Sequence, residues 1–149
     1  MLAEAIAQCN DCTLRKGCRG VVPGCGADDA SIMLVGEAPG EEEDKIGQPF
    51  VGKSGRFLSS LLGTLGLSRE EVYITNTVRC HPPHNSDPKP DQIRACSKWL
   101  DIELDVINPK IVVALGRFST NYLLNRNGAN TKSGDKSGAD TVAKVEVES

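Results

Sequence analysis

Ser31-Ile32-Met33-Leu34-Val35-Gly36-Glu37-Ala38-Pro39-Gly40 is an apolar run that stops at a glycine and opens into an acid-rich loop. Such a run is too short for a buried helix and long enough for a strand covered on both faces. The form recurs twice, in Val72-Tyr73-Ile74-Thr75 ending at Asn76 and in Ile111-Val112-Val113-Ala114-Leu115 ending at Gly116. Helical patterns lie between. Phe57, Leu58, Leu61, Leu62 and Leu65 recur at helical spacing after Ser54, and Ile93, Cys96, Trp99, Leu100, Leu104 and Ile107 do so after Asp91, the expected N-cap behind Pro90. This alternation predicts an α/β fold, a three-layer αβα sandwich around a central, mostly parallel sheet. Ligands of such sheets bind at the carboxyl ends of the strands, where this chain is densest in Gly, Pro and acids.

With 149 residues the chain makes one domain able to bury its own core. No apolar run approaches the roughly 20 residues that span a bilayer, and Met1-Leu2-Ala3-Glu4-Ala5-Ile6 lacks the basic start and apolar stretch of a secretory signal. A cytoplasmic, monomeric protein is expected. In a reducing compartment its six cysteines suit metal ligation or burial better than disulfides. A net charge of −3 argues against a strongly basic nucleic-acid scaffold, although local patches govern contact with phosphate.

Composition shifts at Asn125. Residues 125–149 carry no aromatic side chain and are rich in Gly, Asn, Lys, Ser and Asp, so a domain over residues 1–124 is expected, followed by a disordered or divergent tail. Within that tail Thr141-Val142-Ala143-Lys144-Val145 alternates weakly, as an edge strand would.

Four cysteines fall into two pairs, Cys9-x2-Cys12 and Cys80-x15-Cys96, the second bracketing the polar loop His81-Pro82-Pro83-His84-Asn85. Soft thiolates gathered from remote segments suit an iron–sulfur cluster or zinc, and either would pin the N-terminus to the 80–96 loop. A local zinc knuckle of Cys9, Cys12, Cys18 and Cys25 is the competing arrangement.

Gly47-x4-Gly52-Lys53-Ser54 matches the phosphate-cradling P-loop pattern. Its context does not: a P-loop leaves a buried strand directly, whereas Glu41–Ile46 precede this one, and Pro49 removes a backbone N–H from the cradle. What remains is a long, glycine-hinged loop offering Glu37, Glu41, Glu42, Glu43 and Asp44, with Phe50 presented between Pro49 and Val51-Gly52. A flat pocket with a ring on one wall is expected.

Together, Gly36-Glu37-Ala38-Pro39-Gly40-x-x-Glu43-Asp44, Gly47-x-Pro49-Phe50-Val51-Gly52-x-x-Gly55, Tyr73-Ile74-Thr75-Asn76-x-Val78-x-Cys80 and the Cys9/Cys12/Cys80/Cys96 set resemble the family 4, iron–sulfur uracil-DNA glycosylases, over roughly Cys9 to Leu124. The resemblance implies a 4Fe-4S cluster on Cys9, Cys12, Cys80 and Cys96. It also implies a base-excision repair enzyme that flips uracil out of single- or double-stranded DNA and hydrolyses its N-glycosidic bond to leave an abasic site. Phe50 would stack the base, Asn76 would read its Watson–Crick edge, and backbone amides around Glu37 and Ala38 would hold the pyrimidine O2. Ala38 stands where other branches of the superfamily place an Asp, so Glu37 and Glu43 become the candidates for holding water or stabilising a cationic sugar. Phosphate contacts are expected from Arg15, Lys16, Arg19, Lys53, Arg56, Arg79, His81 and Lys89, with His84 at the surface.

The family pattern continues into a further strand and a His-Pro-Ser-type loop that nothing after Leu124 resembles, so a truncated or divergent C-terminal part is expected. Two other functions therefore remain open: an inactive module that binds uracil-containing DNA, and a metal-dependent hydrolase using Glu37, Glu43 and Asp44.

Overall fold

The three apolar runs pair side by side as strands, with one edge strand added on each flank. The computed structural model describes residues 1–130 and 141–145. In chain order the elements are α1 (Leu2–Ala7), β1 (Cys25–Gly26), β2 (Ile32–Gly36), α2 (Glu41–Ile46), α3 (Lys53–Thr64), β3 (Tyr73–Asn76), α4 (Pro90–Ile107), β4 (Ile111–Leu115), α5 (Arg117–Asn130) and β5 (Thr141–Val145). The sheet order is β1-β3-β2-β4-β5. Only β1 runs antiparallel. The chain steps from β2 to β3 on one side and then crosses to β4 on the other, the reversal that opens a crevice beyond the strand ends.

Side chains alternate along each strand, so β2 feeds two cores. Met33 and Val35 pack with Tyr73, Val112 and Ala114 against Leu100, Leu104 and Ile107 of α4 and Leu123 of α5. Leu34 joins Ile74 against Leu58 and Leu62 of α3. Helices therefore cover both faces, the three-layer arrangement expected from the sequence. α3 buries less than its apolar stripe suggests, because Phe57, Leu61 and Leu65 stay exposed. The N-cap of α4 is Lys89, whose N–H is met by the Gln92 side chain at 2.9 Å. Pro90, which lacks an N–H to satisfy, opens the helix, and Asp91 sits inside the first turn instead of capping it.

The expected boundary at residues 124/125 falls within α5, which runs on to Asn130. β5 pairs in parallel with β4 and lies at the sheet edge. Within the segment expected to be disordered, residues 131–140 and 146–149 lie outside the described residues. Gly47 ends α2 in the left-handed conformation and Gly52 caps α3, so the P-loop look-alike spans two helix ends, with no strand leading into it.

Among the described residues one ion pair is fully buried. Arg79, just beyond β3, donates to Glu103 of α4, and their side chains are 1% and 0% exposed. Glu103 also accepts from Thr75 Oγ1 at 2.9 Å, Tyr73 OH at 3.1 Å and the Gly24 N–H at 3.2 Å. Burial opposes the charge on Arg79, but the Glu103 carboxylate and the Cys96 sulfur together offset it and hold the pKa above the ordinary guanidinium value. Its expected role as a phosphate contact is therefore corrected, since a side chain sealed between sheet and helix cannot reach a ligand outside. Removing the anion leaves Arg79 buried without a countercharge. Glu103→Ala is expected to cost about 3–5 kcal/mol in unfolding free energy, read from the urea midpoint at constant slope, and a loss below about 1 kcal/mol would contradict this account of the core.

Candidate functional site

Gly36 and Asn76 end β2 and β3 in register with one another. A Cβ built on Gly36 would lie 2.4 Å from Cζ of Phe50 and 2.6 Å from Oδ1 of Asn76, so the ring and the amide converge over a floor that tolerates no side chain. Phe50 and Asn76, on which the expected pocket depends, are thereby adjacent in space. Asn76 is 3% exposed, and its Oδ1 has no hydrogen-bond partner. A buried acceptor left unmatched costs roughly 1–3 kcal/mol, which a ligand N–H would recover. Thr77 fastens the strand end by donating both its N–H and its Oγ1 to the Gly36 carbonyl, each at 2.8 Å. Val78 N–H likewise donates to the Glu37 carbonyl at 3.1 Å.

Phe50 holds a φ of +52°, left-handed backbone that costs a non-glycine residue about 1–2 kcal/mol. Two charged side chains sustain it. Glu43 Oε1 accepts from the N–H groups of Val51 (3.0 Å) and Gly52 (2.9 Å), while its Oε2 accepts from that of Gly40 (3.1 Å). Arg69, in the connection from α3 to β3, donates to the carbonyls of Phe50 and Pro49, the latter at 2.7 Å. Glu43, expected to activate water or stabilise a sugar, thus holds the loop backbone with both carboxylate oxygens, Oε2 through a single bond. Asp44 is similarly engaged, accepting from the Arg19 N–H at 2.9 Å. Among the described residues Glu37, Glu43 and Asp44 do not converge on one centre, against their expected use as a joint metal site.

Glu37 stays half-exposed at the mouth of the crevice. Burial pushes its carboxyl above the ordinary 4.5, Asp87 adds to the rise and Arg117 opposes it. Asp87 and Arg117 pair at 2.7 Å and bring the 81–89 loop against the start of α5. Ala38 is half-buried and packs toward the cysteines. His81 lies with Nδ1 2.8 Å from the Pro39 carbonyl, a geometry in which that nitrogen carries the proton and donates. His81 thus ties the cysteine loop to the pocket loop, where a phosphate contact was expected. His84, Lys16, Arg19, Lys53, Arg56 and Lys89 are exposed as expected, and Arg15 is half-buried.

Cys9, Cys12, Cys80 and Cys96 line one cavity walled by Val21, Val78 and Trp99. The N-terminal segment and α4 are thus brought together as the two-pair spacing predicts. Cys18 packs into the same cluster, whereas Cys25 lies on β1. The local knuckle is therefore not the arrangement formed. Burial raises the Cys80 thiol, with Cys18, Cys96 and Cys12 adding to the rise. Burial also raises Cys96, against the pull of Arg79, whose Nη1 lies 3.7 Å from the sulfur. Among the described residues no three Cys, His, Asp or Glu side chains converge closely enough to hold a single metal ion. Four thiols lining one cavity form a set of soft donors suited to a thiolate-bound metal cofactor.

Arg69, Glu103 and Arg117 escaped the sequence reading. Each acts through a partner far along the chain, and none stands in a motif.

Because folding favours the protonated form of Glu37, its stabilising contribution is full at acid pH and is lost as pH rises through the elevated folded value. Glu37→Gln is therefore expected to match the parent's denaturant midpoint below pH 4.5, the ordinary value, and to exceed it at neutral pH. An unchanged difference between the two across that range would show that Glu37 is not desolvated.

Residues 23–145 match the family described as the uracil DNA glycosylase superfamily. The chain is 49% identical over 133 residues to a type-4 uracil-DNA glycosylase of Sulfurisphaera tokodaii, an alignment covering 89% of this chain and 60% of that protein. It is 48% identical to the type-4 enzyme of Saccharolobus solfataricus, covering 85% and 59%, and 39% identical to that of Pyrobaculum aerophilum, covering 99% and 77%. The chain thus spans about 60% of the length of the first two.

Proposed function

Since the chain belongs to the uracil-DNA glycosylase superfamily, we propose that it excises uracil from DNA by hydrolysing the N-glycosidic bond, leaving an abasic site. The observation that carries this is the meeting of Phe50 with the partnerless Asn76 Oδ1 over Gly36. A flipped pyrimidine stacks on the ring. Asn76 Oδ1 accepts from uracil N3–H while Nδ2 donates to O4, and cytosine, with an acceptor at N3 and a donor at N4, mismatches both.

The backbone N–H groups of Glu37 and Ala38 are assigned to the pyrimidine O2, where negative charge gathers as the base departs. With Ala38 offering no carboxylate, Glu37 and Glu43 are assigned to steadying water or the cationic sugar, Glu43 from the loop that it also shapes. Exposed Lys16, Arg19, Lys53, Arg56 and Lys89 are assigned to the phosphate backbone of single- or double-stranded DNA, by a monomer working in the cytoplasm. No helix among the described residues is long and apolar enough to cross a membrane.

Cys9, Cys12, Cys80 and Cys96 are assigned as ligands of a 4Fe-4S cluster, which when bound supplies a covalent brace between the N-terminal segment and α4. The cavity these sulfurs share, and their soft donor chemistry, support that fit.

Incubation with a single-stranded uracil oligonucleotide in EDTA, followed by alkali, is expected to cut the strand at uracil alone. Retention of the oligonucleotide without cutting would instead identify an inactive binding module, and cutting only after Mg²⁺ addition a metal-dependent hydrolase. Asn76→Ala should lower the single-turnover rate on the order of 10²-fold, and Phe50→Ala should weaken uracil-DNA binding by about 1–3 kcal/mol. Protein prepared without oxygen should carry about four iron atoms per chain. Stoichiometric zinc in their place would end the cluster assignment.

A further inference from the structure

Pro49 and Phe50 present two consecutive carbonyls to one guanidinium. Arg69 comes from the connection between α3 and β3, 19 residues beyond Phe50, and its planar fork of donors suits two acceptors side by side. The Phe50 carbonyl is confined from the other side as well. A Cβ on Gly55 would fall 1.9 Å from its oxygen, so the first turn of α3 can pack there only as glycine. One residue further on, the polarity inverts and Glu43 takes the N–H groups of Val51 and Gly52. A cation on two carbonyls and an anion on the two amides that follow hold four successive residues, with the left-handed Phe50 among them.

We propose that Arg69 is the positioning residue of the base-stacking wall: its grip on the Pro49 and Phe50 carbonyls keeps the backbone left-handed and the Phe50 ring over Gly36 beside Asn76. This rests on the glycosylase reading for its consequence, while the clamp itself is a property of the loop. Phe50 is only half-buried, so packing alone does not fix its ring. The backbone conformation must do so. Lysine would bring one point charge to a place that needs two donors in a plane. Arg69 also lines an open cavity with Arg56 and Ser59, so a direct contact to DNA phosphate is the competing role.

The test compares the iron-loaded parent with Arg69→Ala, Arg69→Lys, Phe50→Ala and the Arg69→Ala/Phe50→Ala pair. Amide exchange at Val51 and Gly52 should accelerate in both Arg69 variants while exchange in β2 and β3 stays unchanged. On a uracil oligonucleotide, Arg69→Ala should slow single-turnover release about 10- to 100-fold, the scale expected of a misplaced group. Arg69→Lys should fall between Arg69→Ala and the parent. In the Phe50→Ala background the Arg69 change should add little, because the wall it positions is already gone. The slope of log affinity against log salt should match the parent's. A slope reduced by about one would mark Arg69 as a phosphate contact and overturn the proposal, as would unchanged exchange or fully additive losses. If the unaltered protein releases no uracil, the glycosylase reading falls separately, and exchange at Val51 and Gly52 then decides the clamp alone.

Discussion

The buried pairing of Glu103 with Arg79 is the interaction on which the other parts depend. Glu103 gathers donors from Gly24 before β1, from Tyr73 and Thr75 in β3 and from Arg79 beyond it. A carboxylate so deep is tolerable only because each oxygen is met by two donors. The pair thus welds α4 to β3. Arg79 is followed directly by Cys80 and touches Cys96, while β3 ends at Asn76. The cysteine cradle and the proposed uracil pocket are accordingly two ends of one rigid piece.

Preorganisation at the pocket comes from backbone capture rather than from apolar packing. Glu43, Arg69 and His81 all spend their polar atoms on main-chain groups of the loops that follow β2 and α2. Loops of this kind have little core to rest on. Charge-assisted bonds to N–H and C=O groups give them a defined shape. The result is a site in which Glu43 also shapes its own loop. Glu37 remains at the mouth, its charge disfavoured by partial burial.

Much of this was legible beforehand where a signal repeats locally. Three apolar runs closed by Gly36, Asn76 and Gly116 announced parallel strands, and helical spacing announced α3 and α4. Cys9-x2-Cys12 with Cys80 and Cys96 announced a shared cavity, because soft thiols gathered in remote pairs suit ligation of one common cofactor. The misjudged residues share a cause. Arg79 and His81 carry side chains that look equally at home on a surface, and only partners far along the chain, Glu103 and the Pro39 carbonyl, engage them. The asparagine-rich stretch after Leu124 read as irregular, yet α5 continues through it to Asn130.

The amino-acid order alone determined the alternation of strand and helix, the grouping of four thiols and the presence of a ring and an amide near the strand ends, since periodicity and residue chemistry are local properties. Only the tertiary structure decided which charges are ligands of backbone and which are free, that Gly36 is the floor on which Phe50 and Asn76 meet, and that Asn76 keeps an acceptor unmatched. Those facts depend on distances between residues tens of positions apart, which hydrogen bonding and close packing set once the sheet has closed.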